Sequence, residues 1–446
     1  MTEAGCVRLS RDSTHTVAYS VRRIVIYGIL NIMNEMIRKK SPFKSHMWAV
    51  VAMLTIGFST ITINLSQGDA QMQTIERREV TIDLEGNRLQ TQGELTLPAA
   101  GGGPFPAVLL IHGSGATDRD EYLPPLVTGT GNESRPFKQI ADYLSERGFV
   151  VLRYDKRGIG ENGTILNLDI YANATVQQFQ RDAEAALNFL MRQPEVDNDR
   201  ITILGHSEGA IIAPRIAIRH SNDVQNIVLM SASAQSIPDL VYYQVINRTL
   251  LFAHQYWDDD GDGSLSLDEV LAHPELPLTV PAAANNDTSS NGTATSGNSA
   301  AAPTSSHVTN SSSVSASNRT LATTTVPPQE WIPGLDANND NKVDIDGELL
   351  AFGLASLAEL ESFPWFQSHT VLEPTIDIID ELTSTSILIL QGEADIQTPV
   401  EHALVIEQRL TGLEHSDHTL ITYPGLGHTF YPAEGPLQPL GPIESH

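Results

Sequence analysis

The chain has 446 residues, 41% of them hydrophobic, with 27 Lys and Arg set against 54 Asp and Glu, a net charge of −27. That size and apolar content suit one large domain or two, built around a buried core. The negative charge disfavours nucleic acid and anionic lipid as partners and favours divalent cations.

The chain opens on a leader. "MIRKKSPFKSHM" (36–47) is basic, "WAVVAMLTIGFSTITINL" (48–65) is uncharged and mostly apolar, and "SQGDA" (66–70) supplies small residues. That order is the order of a secretory signal, so residues 1–70 are expected to direct export, secreted or periplasmic. The alternative is a retained anchor, although 48–65 is a marginal membrane span. Met33, Met36 and Met47 are candidate starts. Residues 71–446 keep 19 basic and 50 acidic residues, a net charge of −31. The one cysteine, Cys6, lies in the leader, which leaves the exported body no disulfide and no thiol chemistry.

"REVTIDLEGNRLQTQGELTLP" (78–98) alternates apolar and polar residues around "EGN" and reads as a hairpin. "FPAVLLIHGSG" (105–115) is an unbroken apolar run ending in glycines, the pattern of a buried strand. "RPFKQIADYLSER" (135–147) has helical spacing, and Gly148 stops it. "FVVLRYDKRG" (149–158) is a second buried strand, and "TVQQFQRDAEAALNFLMRQ" (175–193) is an amphipathic helix capped by Thr175. "RITILGH" (200–206), "EGAIIAPRIAIRH" (208–220) and "NIVLMSA" (226–232) continue as strand, helix and strand. The pattern resumes with "SILILQGEAD" (386–395), "PVEHALVIEQRL" (399–410) and "HTLITYPGLGH" (418–428). Apolar strands alternating with helices predict an α/β fold, a mostly parallel doubly wound sheet covered on both faces. The core is expected over 71–235 and 376–446.

Residues 236–375 interrupt it and are expected to form a helical lid insertion. Within it, 280–328 is nearly all Ser, Thr, Ala, Asn, Gly and Pro, too poor in apolar residues to offset its ordering entropy, which predicts disorder. On either side stands an acidic loop. "DDDGDGSLSLDE" (258–269) fits a twelve-residue EF-hand calcium loop. Asp258, Asp260 and Asp262 stand at positions 1, 3 and 5, Gly263 at 6, Ser264 at 7, Leu265 at 8, Ser266 at 9 and Glu269 at 12. "DANNDNKVDIDGE" (336–348) fits less well. Asp336, Asn338 and Asp340 take 1, 3 and 5, Lys342 takes 7, Val343 takes 8 and Asp344 takes 9. Position 12 is Gly347, so closure there needs Asp346 or Glu348. Calcium units of this kind pair through their eighth residues, which makes Leu265 and Val343 the expected bridge. Calcium is the expected cofactor, in a structural role, and no organic cofactor is expected.

Gly-His-Ser-Glu-Gly (205–209) fits G-x-S-x-G between a strand and a helix, where a sharp turn lifts a serine hydroxyl at the carboxyl edge of the sheet. A serine needs a base, and the base needs an orienting acid. Asp395 and His428 are the first suitable groups past the next two strands, in the order acid then histidine. Glu393 is a rival acid. His402, His415 and His418 sit at helix or strand-entry positions and read as solvated. The tetrahedral oxyanion needs N–H donors, expected from Glu208 and from "HGSG" (112–115), with Ser114 preferred and Gly115 as the alternative.

Together "HGSG", "RYDKRGIGEN", "GHSEG", "GEADIQTP" and "GLGH" resemble the α/β-hydrolase superfamily. "HGSGATDRDE" followed by "PFKQIADYLSERGFVVLRYDKRG" is similar to bacterial esterases near the dienelactone-hydrolase and serine-aminopeptidase-like branches. The resemblance covers about 78–235 and 386–430. It implies Ser207 as nucleophile, Asp395 as acid and His428 as base. It also places "DRDE" (118–121) at the entrance, where Arg119 either holds a substrate carboxylate or pairs with Asp155 or a neighbouring acid. The proline-rich end after His428 and the long interruption depart from the family pattern.

The expected function is an exported serine hydrolase acting on small-molecule carboxylic esters, with no nucleic-acid partner and membrane contact only if the leader is retained. A peptidase, aminopeptidase or thioesterase on the same triad is the alternative. A non-catalytic, calcium-dependent extracellular binding protein is the alternative of another class.

Overall fold

The computed structural model describes residues 75–86, 88–124, 132–273, 278–281 and 329–431. The leader, the 48–65 segment and most of the Ser/Thr-rich tract lie outside the described residues.

The chain divides into two units, one formed by residues up to 249 together with those from 353 onward, the other by Leu250–Phe352. The separable unit is narrower than the 236–375 interruption. The helical segments Ile237–Tyr242, Pro364–His369 and Thr375–Ile378 belong with the sheet.

The first unit is built on an eight-stranded sheet. Its elements are β1 (Ile75–Asp83), β2 (Gln90–Pro98), β3 (Phe105–Ile111), α1 (Pro136–Ser145), β4 (Val150–Tyr154) and α2 (Val176–Met191). They continue with β5 (Val196–His206), α3 (Glu208–Arg219), β6 (Val224–Met230), β7 (Ser386–Gly392), α4 (Val400–Gly412) and β8 (His418–Tyr423). The strand order is β1-β2-β4-β3-β5-β6-β7-β8. β2 runs antiparallel to both β1 and β4, and all other pairings are parallel. This is the α/β-hydrolase fold.

Strand periodicity divides the core. Leu109, Leu152, Ile203, Ile227 and Ile389 face one side, where α2, α3 and α4 pack, while Val108, Val151, Leu204, Val228 and Leu388 face the other, under α1. Successive side chains in a strand point to opposite faces, so a sheet covered on both sides is apolar at nearly every position. The fully buried β4 and β7 are accordingly apolar but for Arg153 in the one and Ser386 and Gln391 in the other. Thr175 begins α2 with a reciprocal capping box to Gln178, satisfying amides that the first helical turn leaves open.

In the second unit, Lys342–Asp344 pairs antiparallel with Ser264–Ser266, with Val343 opposite Leu265. Thr279–Pro281 pairs with Gln329–Trp331. Residues 280 and 281, expected within the disordered tract, therefore belong to a ladder.

Candidate functional site

Ser207 sits between β5 and α3 with φ 54° and ψ −115°. A non-glycine residue at positive φ is strained, and such strain collects at functional turns. The flanking glycines make the turn possible. A Cβ on Gly205 would collide with the Gly209 carbonyl, and a Cβ on Gly209 with that of Ile111. The Ser207 amide donates to the Met230 carbonyl at 2.9 Å, which anchors the turn to the end of β6.

Asp395 and His428 meet at the neighbouring strand ends. His428 Nδ1 lies 2.8 Å from Asp395 Oδ2. Asp395 also accepts from the Gln397 and Thr398 amides at 2.9 Å each and from Gln391 Nε2 at 3.0 Å. Burial pushes its carboxyl pKa up, but the His428 charge and these hydrogen bonds outweigh burial and hold it below the ordinary value. An ionised Asp395 requires a hydrogen on His428 Nδ1, which leaves Nε2 free to act as a base. Amide bonds from Glu393 to Tyr423 and from Ala394 to Leu426 tie the acid loop to the histidine loop. The Ser207 hydroxyl makes no hydrogen bond to His428 among the described residues. Such contacts are often long until a substrate is bound. The two loops are joined instead by His206, whose Nε2 lies 3.0 Å from the His428 carbonyl, with Ser231 Oγ donating to the same oxygen at 2.9 Å.

The glycine-rich loop after β3 approaches from the opposite side. The Gly113 amide donates to Glu121 Oε1 at 2.7 Å, so it is not available to a ligand. The next amide in the chain belongs to Ser114, the expected donor. The Glu208 amide stands at the first turn of α3, where helical N–H groups have no partner within the helix.

Beneath these donors lies a buried polar network. The Glu208 carboxylate accepts from Trp365 Nε1 at 2.6 Å and Lys156 Nζ at 3.1 Å, and lies 3.1 Å from His369 Nε2. Burial opposes its charge, but Lys156, His369 and Trp365 overcome this and hold its pKa far below the ordinary carboxylate range. Lys156 Nζ also donates to the Gly113 carbonyl at 2.7 Å. His112 lines a cavity of about 10 Å³ with Tyr154, Lys156, Asp182 and Glu208, room for one water. Burial, reinforced by the charge of Lys156, pushes the His112 pKa down to about 3.

The remaining candidates are structural. Arg119 pairs with Asp155 (Nε, 3.3 Å) and Glu79 (2.5 Å). Asp118 accepts from the Asp120, Tyr122 and Asn162 amides, and Asp120 pairs with the buried Arg153. Glu393 accepts from Thr422 at 2.6 Å, away from His428. His402, expected to be solvated, accepts from the Ala234 amide at 3.2 Å. His415 is 2.8 Å from the Leu382 carbonyl, and His418 Nδ1 is 3.0 Å from that of His415. Glu121, Lys156, His206, Trp365 and His369 went unread in the sequence. Glu121, Lys156 and His206 carried a signal, as members of the "DRDE", "RYDKRGIGEN" and "GHSEG" motifs.

The acidic loops form the candidate metal centre. Carboxylate oxygens of Asp258, Asp260 and Asp262 lie within 4.8 Å of one another. Glu269 Oε1 accepts from the Asp259 and Asp260 amides, and its Oε2 from the Ser266 amide and hydroxyl. Ser264, at position 7, donates its amide to Asp262 at 2.9 Å. In the second loop, Asp336 and Asn338 accept from the Asp340 amide, and Asp340 from that of Lys342. Glu348 Oε1 accepts from the Ala337 and Asn338 amides and its Oε2 from the Asp344 amide, the arrangement Glu269 has in the first loop. Glu348 stands one place later than a twelve-residue loop requires, and the π-helical turn Ile345–Leu349 absorbs the extra residue. Asp346 instead lies 3.0 Å from His254. Asp344 accepts from the Gly347 amide, and the Lys342 ammonium pairs with Asp262.

Comparisons with known proteins give partial matches. The Hydrolase_4 family model, described as serine aminopeptidase, S33, matches residues 125–258. Esterase EstD of Thermotoga maritima is 32% identical over 173 residues, covering 39% of this chain and 36% of that protein, so the match spans about a third of the relative's length. Among solved structures, Est1E from Butyrivibrio proteoclasticus is 14% identical, covering 80% of this chain and 92% of its own, with a TM-score of 0.40. An acylaminoacyl peptidase from Pyrococcus horikoshii is 12% identical, covering 82% and 40%, with a TM-score of 0.41.

Proposed function

We propose that this chain is an exported serine hydrolase that cleaves small carboxylic esters through an acyl-enzyme. The observation that carries the reading is the 2.8 Å His428–Asp395 pair at the sheet edge where Ser207 is held at φ 54°. In this reading Ser207 Oγ attacks the ester carbonyl while His428 Nε2 takes its proton. Asp395 stabilises the imidazolium, and the amides of Ser114 and Glu208 receive the oxyanion. His428 returns the proton to the leaving alcohol and then activates water for deacylation. Each oxyanion donor is expected to contribute about 3–4 kcal/mol to the barrier reduction.

The likeness to an esterase over 173 residues supports the ester reading. The match to a family described as serine aminopeptidase supports the second reading, amide cleavage on the same triad. A fluorophosphonate probe is expected to label the wild type and not Ser207→Ala. Absence of labelling, with and without calcium, would remove the hydrolase reading and favour a binding protein. A panel of p-nitrophenyl esters against aminoacyl p-nitroanilides separates ester from amide cleavage.

Calcium belongs to the proposal as a structural ion. The donor set fits a hard cation: clustered carboxylates, a glutamate closing each loop, and eighth residues paired across a ladder. Asp258, Asp260, Asp262, Ser264, Ser266 and Glu269 would hold one ion. Asp336, Asn338, Asp340, Lys342 (through its carbonyl), Asp344 and Glu348 would hold a second. The ion would neutralise the loops' mutual repulsion and would take no part in the bond-making steps.

A further inference from the structure

We propose that His206 is a positioning residue held as a buried imidazolium, whose two N–H groups tie the loop of the general base to the loop of the oxyanion donors. The proposal rests on the catalytic reading of Ser207 and His428. His206 Nε2 lies 3.0 Å from the His428 carbonyl, and a carbonyl only accepts, so Nε2 carries a hydrogen. His206 Nδ1 lies 3.0 Å from Glu121 Oε1, the same oxygen that accepts from the Gly113 amide at 2.7 Å. A carboxylate oxygen receiving both bonds completes the arrangement, and it requires a hydrogen on Nδ1 as well.

Both partners are buried, His206 at 6% and Glu121 at 5% exposure, where an unpaired charge of either sign would be costly and a fully hydrogen-bonded ion pair is tolerated. The charged and titratable groups facing the ring are Glu121 from the loop after β3, His428, whose ring centre lies 5.0 Å away, and Asp395 behind it. The Phe137 ring of α1 packs on the remaining side. Burial by itself lowers the His206 pKa, but the charge and hydrogen bond of Glu121, the His428 carbonyl and the Asp395 charge reverse this and raise it above the ordinary value. Glu121 holds its place at φ 50°, a strained backbone consistent with a side chain aimed at one target.

One proton therefore serves two loops. It keeps the His428 carbonyl in place, and it holds the Glu121 oxygen where it accepts from Gly113, next to Ser114. Because the folded pKa is raised, the hold is complete below the ordinary histidine value and is lost as pH rises through the raised one. Turnover should then fall on an alkaline limb set by His206.

The test uses the full chain labelled with ¹⁵N-histidine, with the His206 signals assigned by their loss in His206→Asn. At about pH 6.5, where an ordinary histidine is half neutral, both His206 ring nitrogens should show imidazolium shifts. Glu121→Gln keeps an acceptor for Gly113 but removes the counter-charge. It should move both the His206 titration and the alkaline limb of kcat to lower pH by about one unit or more. A neutral His206 tautomer in the wild type at that pH, or a Glu121→Gln titration and limb that do not move, would overturn the proposal. If the wild type resists fluorophosphonate, the hydrolase reading fails by itself, and the NMR titrations of wild type and Glu121→Gln still decide the charge on His206.

Discussion

Lys156 places its ammonium 3.1 Å from the Glu208 carboxylate and 2.7 Å from the Gly113 carbonyl, so one buried cation joins the helix after the serine to the loop opposite it. Lys156→Met would leave Glu208 charged and buried without its main counter-ion. Removing one partner of a buried pair costs about 3–5 kcal/mol, so a large fall in unfolding free energy is expected by denaturant titration. An unchanged midpoint would show that the remaining donors to Glu208 suffice.

Glu208 also sets a pH dependence. Its folded pKa is depressed, so its contribution to stability is complete above the unfolded value near 4.5 and declines as pH falls below that. In Glu208→Gln that component vanishes, and the fall in stability below about pH 4 should be shallower than in the wild type. Thermal melts across the acid range would check this.

Asp395→Asn preserves shape and the two backbone bonds but turns an acceptor facing His428 into a potential donor. The proton would then move to His428 Nε2, the atom required as base. A drop in kcat of about 10⁴-fold is expected, with fold and KM little changed. A loss under tenfold would mean that another group orients the imidazole.

Gly209→Ala tests the elbow. The added methyl would meet the Ile111 carbonyl, which is backbone and cannot step aside cheaply. Destabilisation of about 3 kcal/mol or more is expected, read as a lowered melting temperature together with lost fluorophosphonate labelling.

Calcium at about a hundred times its dissociation constant should stabilise the binding unit by about 2.7 kcal/mol, measured as a chelator-sensitive rise in its unfolding transition. Glu269→Gln should remove most of that gain. Glu348→Gln should weaken the second loop, whereas Asp346→Asn should not, because the Glu348 oxygens, and not those of Asp346, gather the loop amides.

The sheet was legible because strands buried on both faces are apolar at nearly every position, a signal that local sequence carries. Ser207, Asp395 and His428 could be singled out for a related reason: each follows closely on such a run, and strand ends are where the fold exposes side chains. Leu265 and Val343 could be matched because the loop pattern fixes the eighth place in each.

Lys156, Glu121, His206, Trp365 and His369 were not legible as partners. Most of their neighbours come from distant segments, Glu208 lying 52 residues from Lys156 and His428 lying 222 from His206, and nothing in a local pattern records which distant strand end will lie alongside. The choice of Glu348 over Asp346 likewise waited on a π turn that the residue types alone do not specify. By itself the sequence determined the layered sheet and the serine turn. Tertiary structure decided which buried charges meet, because pairing in a low-dielectric interior depends on distances that only the assembled sheet sets.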